Sequence, residues 1–246
     1  MQIYVGTSGW RYFWNRGGSL KWYIKNTPFN AVELNASFYR FPFPKMISSW
    51  IKIGSNLRWS IKVNQTITHR YKLNERGIRV FEKFRKLFLP MEKRDLIDFY
   101  LFQLPPIVKP TDKMISRFEK FIKAVNLGEK FAIEFRSSEW FDKKYVEWIE
   151  SLDAVFVSVD SPTISSEIYD CNSIIYLRLH GRTAWYSHDY NERELSEILH
   201  KVNRVKSIEK LYILLNNDHG MLPTGERIIK LLPKIVKNAE YTKIEK

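Results

Sequence analysis

Eight short apolar runs recur along the chain: IYVGTS (3–8), AVELN (31–35), WSIKV (59–63), FYLFQLP (99–105), FAIEFR (131–136), AVFVSVD (154–160), IIYLRLHGR (174–182) and LYILLNND (211–218). Nearly every run ends in a polar or charged residue, and most are separated by enough chain for a helix. Runs of this length read as strands, and strands alternating with helices read as βα units of a parallel sheet. Eight such units predict an α/β fold, a single (β/α)8 TIM barrel with parallel strands, over 1–246. The intervening segments carry the helical period. In 112–126, Met114, Ile115, Phe118, Phe121, Ile122 and Val125 share a face, with Thr111 or Asp112 placed to cap it. In 75–88, Ile78, Phe81, Phe84 and Phe88 form a stripe. The sixth unit is the weakest, since 161–173 leaves room only for a short helix or an irregular turn.

Side chains alternate across a strand, so residues two apart share a face. Val32 and Leu34 oppose Glu33 and Asn35; Phe131, Ile133 and Phe135 oppose Ala132, Glu134 and Arg136; Ile175, Leu177 and Leu179 oppose Tyr176, Arg178 and His180. The apolar faces belong under helices, which sends the polar set into the barrel. The same reading adds Ser60 and Lys62, Gln103, Ser158 and Asp160, and either Asn216 or Asn217. Barrel interiors are usually filled by Val, Ile and Leu, and chemistry sits at the strand C-termini. Glu33, Lys62, Gln103, Glu134, Arg136, Asp160, Arg178 and His180 therefore describe either a polar pocket or a self-neutralising network of ion pairs.

The 246 residues suit one such barrel, and no linker or low-complexity tract divides them. The chain opens directly into strand-like sequence, and no apolar run approaches the roughly 20 residues that span a bilayer. A single cysteine, Cys171, excludes an internal disulfide. A cytoplasmic protein, monomeric or weakly dimeric and without a membrane partner, is expected. The net charge of +13 attracts nucleic acid or other acidic partners, or reflects A/T-rich coding, because the basic residues are spread over all the helices.

The motifs GTSGW (6–10), VELNASFYRFP (32–42), IKVNQTITH (61–69), FQLPP (102–106), IEFRSSEWF (133–141), the Asp160 strand end, LRLHGR (177–182) and NND (216–218) together resemble the YecE-like family, also termed domain of unknown function 72. The resemblance covers residue 6 to about 225. It implies a TIM barrel and supplies no reaction. It departs at 183–191, where family members carry a longer Tyr/Trp-rich stretch.

No G-x-G-x-x-G or P-loop motif marks a nucleotide cofactor, so the cofactor stays unknown. The histidines form no metal-binding pattern; Glu134, Asp160 and Asn216 compose an oxygen set of the kind Mg²⁺ takes, opposed by the arginines alongside. Arg136, Arg178 and Arg182 are candidates to clamp phosphate. Trp10, Tyr39 and Trp140 are candidate stacking partners in loops after strands. His69 and His180 are candidate acid/base groups. Lys62 is a candidate Schiff-base amine, which adjacent carboxylates would disfavour by raising its pKa. The leading expectation is an enzyme acting on a phosphorylated or nucleic-acid substrate, by phosphodiester hydrolysis. Glu134 is then base and His180 acid, with Glu33, Lys62 and Asp160 assisting. Asn35, Tyr39, His69, Gln103, Trp140, Asn216, Asn217 and Trp10 join the arginines in binding. A non-catalytic nucleic-acid-binding module and a carbohydrate or sugar-phosphate enzyme are the alternatives.

Overall fold

The structure, a computed structural model, describes residues 1–164 and 167–243. Eight strands form one closed, all-parallel barrel in sequence order. They are β1 (Gln2–Ser8), β2 (Ala31–Leu34), β3 (Arg58–Lys62), β4 (Ile97–Gln103), β5 (Phe131–Glu134), β6 (Val155–Asp160), β7 (Ile174–Leu179) and β8 (Lys210–Leu215). The barrel closes where β1 pairs with β8, from Gln2 opposite Lys210 to Thr7 opposite Leu215.

Helices α1 (Leu20–Asn26), α2 (Pro44–Ile53), α3 (Glu75–Glu92), α4 (Asp112–Val125), α5 (Lys143–Glu150), α6 (Glu192–Arg204) and α7 (Met221–Ile235) pack outside. Thr111, rather than Asp112, caps α4, its side chain accepting from the Met114 N–H. No α-helix lies between β6 and β7 among the described residues; 165 and 166 of the expected irregular sixth unit lie outside them.

Two apolar layers result. The outer one joins Ile3, Val5, Val32, Ile61, Phe102, Ile133, Phe156, Leu177 and Ile213 to the helix stripes. The inner one comprises Phe99, Leu101, Val155, Val157, Val159, Tyr176, Tyr212 and Leu214. Phe99, Tyr176 and Tyr212 pack tilted or edge-on against one another with ring centroids 4.7–6.3 Å apart, adding aromatic bulk to the aliphatic side chains of the lower barrel.

Gly6 sets the approach of β1 to β2: a Cβ there would stand 2.2 Å from the Ala31 carbonyl oxygen, which is backbone and cannot turn aside. Gly6→Ala is therefore expected to cost about 3 kcal/mol, a fall in Tm of about 6–12 °C for a chain of this size. Gly18→Ala, at a loop position with φ +56° and open space around it, should lose only about 1 kcal/mol. Equal melting curves for the two variants would contradict this account of β1–β2 packing.

Candidate functional site

At the C-terminal end of the barrel the inner layer turns polar. Glu33 and Asn35 come from β2 and its exit, Lys62 from β3, Gln103 from β4, Glu134 and Arg136 from β5 and its exit, Arg178 and His180 from β7 and its exit, and Asn216 from the exit of β8. β6 does not contribute. Its inward residues are Val155, Val157 and Val159, so Ser158 and Asp160 face the helices. Asp160 there accepts from Tyr190 Oη (2.7 Å) and Arg182 Nε (3.0 Å). This corrects the expected placement of Asp160 in the pocket and of Arg182 beside Arg136 and Arg178. It also separates Asp160 from Glu134 and Asn216. Among the described residues no group of three or more His, Cys, Asp or Glu is gathered to hold a metal ion.

Two other expected ligand contacts lie elsewhere. Trp140 is fully buried, stacked on Phe135 (4.2 Å) and Phe118 (5.7 Å), with its indole N–H on the Val108 carbonyl. It is core. Asn217 is also buried, its Nδ2 donating to the His188 carbonyl and to Thr224 Oγ1, while Asn216 takes the inward position.

The inward charges form a chain of contacts. Fully buried Arg178 donates from Nη2 to Glu33 Oε1 (2.5 Å) and from Nη1 to Glu134 Oε2. Glu33 Oε2 accepts from Tyr176 Oη (2.9 Å), which also bonds Ser60 Oγ (2.7 Å). Glu134 Oε1 lies 2.5 Å from Arg136 Nε, a close contact of charges whose N–H is not aligned with it, and 3.3 Å from His180 Nε2. His180 Nδ1 faces Asn216 Nδ2 (3.0 Å), and Asn216 Oδ1 accepts from Ser8 Oγ (2.5 Å). Burial raises the Glu134 carboxyl, but Arg136 and Arg178 outweigh it and hold the group well below the usual carboxylate range. Burial and then Arg136 hold His180 well below the usual imidazole range, hence neutral. Glu134 is therefore a fixed counter-ion.

Lys62 differs from its neighbours. It is buried to all but 6 % of its surface, and its Nζ makes no ion pair among the described residues; Nζ lies 4.5 Å from the centre of the Phe38 ring. Burial, then repulsion from Arg178, lowers its pKa to about 7 despite Glu33 and Glu134. The two carboxylates raise it, as their proximity leads one to expect, but burial and Arg178 outweigh them. The Phe38 support is itself held: Asn64 Nδ2 donates to the Ser37 and Phe38 carbonyls (3.1 and 3.0 Å), and Ser37 Oγ donates to the Lys62 carbonyl (2.6 Å). His69 packs edge-on against the Phe38 ring at 5.0 Å, and burial and Lys62 lower its pKa.

One half of the mouth is covered. Trp185 lies over the Arg136 guanidinium at 4.4 Å and beside His180 at 5.3 Å, and Tyr186 Oη accepts from Arg136 Nη1 at 3.4 Å. The other half retains exposed Tyr39, part-exposed His69 and Asn35, and the edge of Gln103. Asn35 Oδ1 is buried without a hydrogen-bond partner. Ser8 and Asn35 also line a cleft of about 520 Å³ that extends outward past Trp10, Tyr12, Tyr39 and Trp50. Trp10 thus borders this cleft, packed edge-on against Trp50 and Trp59. The sequence reading missed Tyr176 and Asn64 as site members; strand parity placed Tyr176 inside, but nothing local shows a tyrosine reaching Glu33.

A family model described as "Protein of unknown function DUF72" matches residues 4–227. No curated protein matches the chain. A DUF72 family protein of Enterococcus faecalis is similar in structure, with a TM-score of 0.82 and 18 % identity over 99 % of this chain and 98 % of that one. One from Thermotoga maritima has a TM-score of 0.79 and 23 % identity over 95 % of this chain and 100 % of that one. At these identities the likeness is one of fold. No helix among the described residues is long and apolar enough to cross a membrane.

Proposed function

The chain belongs to the DUF72 family, whose description carries no reaction, and from the mouth itself we propose an enzyme that binds a small phosphorylated substrate there. One observation carries the reading. With Asp160 outside, the inward set holds three cations, Lys62, Arg136 and Arg178, against two carboxylates, Glu33 and Glu134. A buried positive charge without a partner either loses its proton or recruits an anion. Arg136 supplies the direct contact: beyond Glu134, its terminal nitrogens reach only 3.4 Å contacts, to Tyr186 and His180, so they have donors to spare. Phosphate at Arg136 would supply the anion that this set lacks.

Hydrolysis with Glu134 as base and His180 as acid has less support, since the first is held ionised and doubly engaged and the second is held neutral. A nucleic-acid strand remains the second reading, favoured by exposed Phe13, Tyr39 and Phe43 together with the charge of +13.

Titration calorimetry with inorganic phosphate, a triose phosphate and a single-stranded oligonucleotide tests the proposal. Arg136→Met is expected to weaken binding of the first two by about 10- to 100-fold, the worth of a charge-assisted hydrogen bond. Unchanged phosphate affinity in that variant would overturn it. Binding by the oligonucleotide alone, with steep salt dependence, would favour the second reading.

A further inference from the structure

The proposed phosphate site leaves open what reacts. We infer that Lys62 is an amine nucleophile that forms an imine with the carbonyl carbon of a phosphorylated aldehyde or ketone, a conclusion that rests on the phosphate reading for its substrate class.

Four features meet at this amine. Its Nζ lies against an aromatic face rather than a carboxylate, so no ion pair has to be broken to free the lone pair. Its strand end is held by the Ser37 and Asn64 hydrogen bonds, which fix both the β3 exit and the Phe38 ring. Asn35, one register step beyond the Leu34–Ile61 pair, stands level with Lys62 and offers an acceptor with no partner among the described residues. A substrate hydroxyl beside the carbonyl would satisfy it. Arg136, the proposed phosphate contact, lies under Trp185 in the covered half of the mouth, while Phe38, the ring beside the Lys62 amine, stands against Tyr39 and His69 in the open half. The lowered pKa is consistent with these features, because a neutral amine is the reactive form.

The step balances without any added reagent. The Nζ lone pair adds to the carbonyl carbon. The two amine hydrogens pass to the carbonyl oxygen, which leaves as water, and a C=N bond replaces C=O. His69, neutral and with Nε2 unpartnered among the described residues, is the nearby group suited to carry these protons.

Borohydride trapping tests the inference. The full chain is incubated at pH 7.5 with dihydroxyacetone phosphate, dihydroxyacetone or acetaldehyde, reduced, and mapped by mass spectrometry. An adduct at Lys62 about tenfold or more above any other lysine is expected with the phosphorylated ketone, since an ordinary lysine is only about 0.1 % unprotonated near this pH. Lys62→Arg, which keeps a cation, should lose this adduct yet still bind inorganic phosphate; Lys62→Met, which carries no buried charge to destabilise the fold, should lose the adduct as well. Adducts confined to other lysines with all three probes would overturn the inference, while phosphate binding in the same sample would leave the anion site standing. Equal trapping of dihydroxyacetone with and without its phosphate would keep the imine and remove the phosphate reading.

Discussion

Arg178→Met is expected to lower the unfolding free energy by about 3–5 kcal/mol, the usual cost of leaving a buried charge without its partner. For a domain with a total stability of about 5–15 kcal/mol this is a large fraction. The asymmetry of the contacts explains the size. Glu134 would keep Arg136 and His180, but Glu33 would keep only the Tyr176 hydroxyl. Glu33 would then have to take up a proton or draw in water. Urea unfolding should show a lower midpoint with an unchanged slope. Adding Glu33→Gln to Arg178→Met should recover part of the loss, because it removes the stranded charge. A single variant with the wild-type midpoint would show that the network does not stabilise the barrel.

Lys62→Met is expected to act in the opposite direction. The Lys62 pKa is about 7 in the folded chain against an ordinary value of 10.5. Between those values the unfolded chain binds a proton that the native chain does not, so stability rises with pH by about 1.4 kcal/mol per unit. Below about pH 7 the whole penalty of the buried charge is present. The window for measurement is pH 7 to 9 in phosphate-free buffer. Above it, Cys171, raised by burial to about 12, and buried tyrosines such as Tyr23 and Tyr100 keep protons that the unfolded chain loses, which reverses the slope. Below it, neutral His180 and His69 add their own dependence. Within the window, the wild-type slope should disappear in Lys62→Met, and the variant should be the more stable protein at pH 7. Parallel slopes in the two proteins would place the titrating group elsewhere.

Strand parity made most of the barrel legible. Several strands mix polar and apolar residues so that one face is plainly the helix side, and Glu33, Lys62, Glu134, Arg178 and His180 all point inward as that contrast requires; β8 does not, and left Asn216 and Asn217 equally open. β6 lacks the contrast. Val155, Val157 and Val159 alternate with Phe156, Ser158 and Asp160, and either face can go in. What decides it is non-local: Tyr190 and Arg182 arrive from beyond β7 to hold Asp160 outside. Trp140 resembled a loop aromatic for the same reason, since its partners Phe118 and Val108 belong to the preceding βα unit. The pairing of charges was legible in kind but not in assignment. Three bases near acids suggest mutual neutralisation; only distances show that Arg178 and Arg136 take both carboxylates and leave Lys62 with none.

The contact between Glu33 and Arg178 spans 145 residues of chain. As the polypeptide is made, the acid on β2 has no counter-ion until β7 has been added, and β1 has no second neighbour until β8 closes on it. A half-barrel could pack its helices but would have to keep that carboxylate wet. Partial barrels are thereby penalised, and high contact order slows the final closure. The Glu33–Arg178 pair thus exists only in a barrel whose seventh strand is in place, which favours the whole barrel over its pieces.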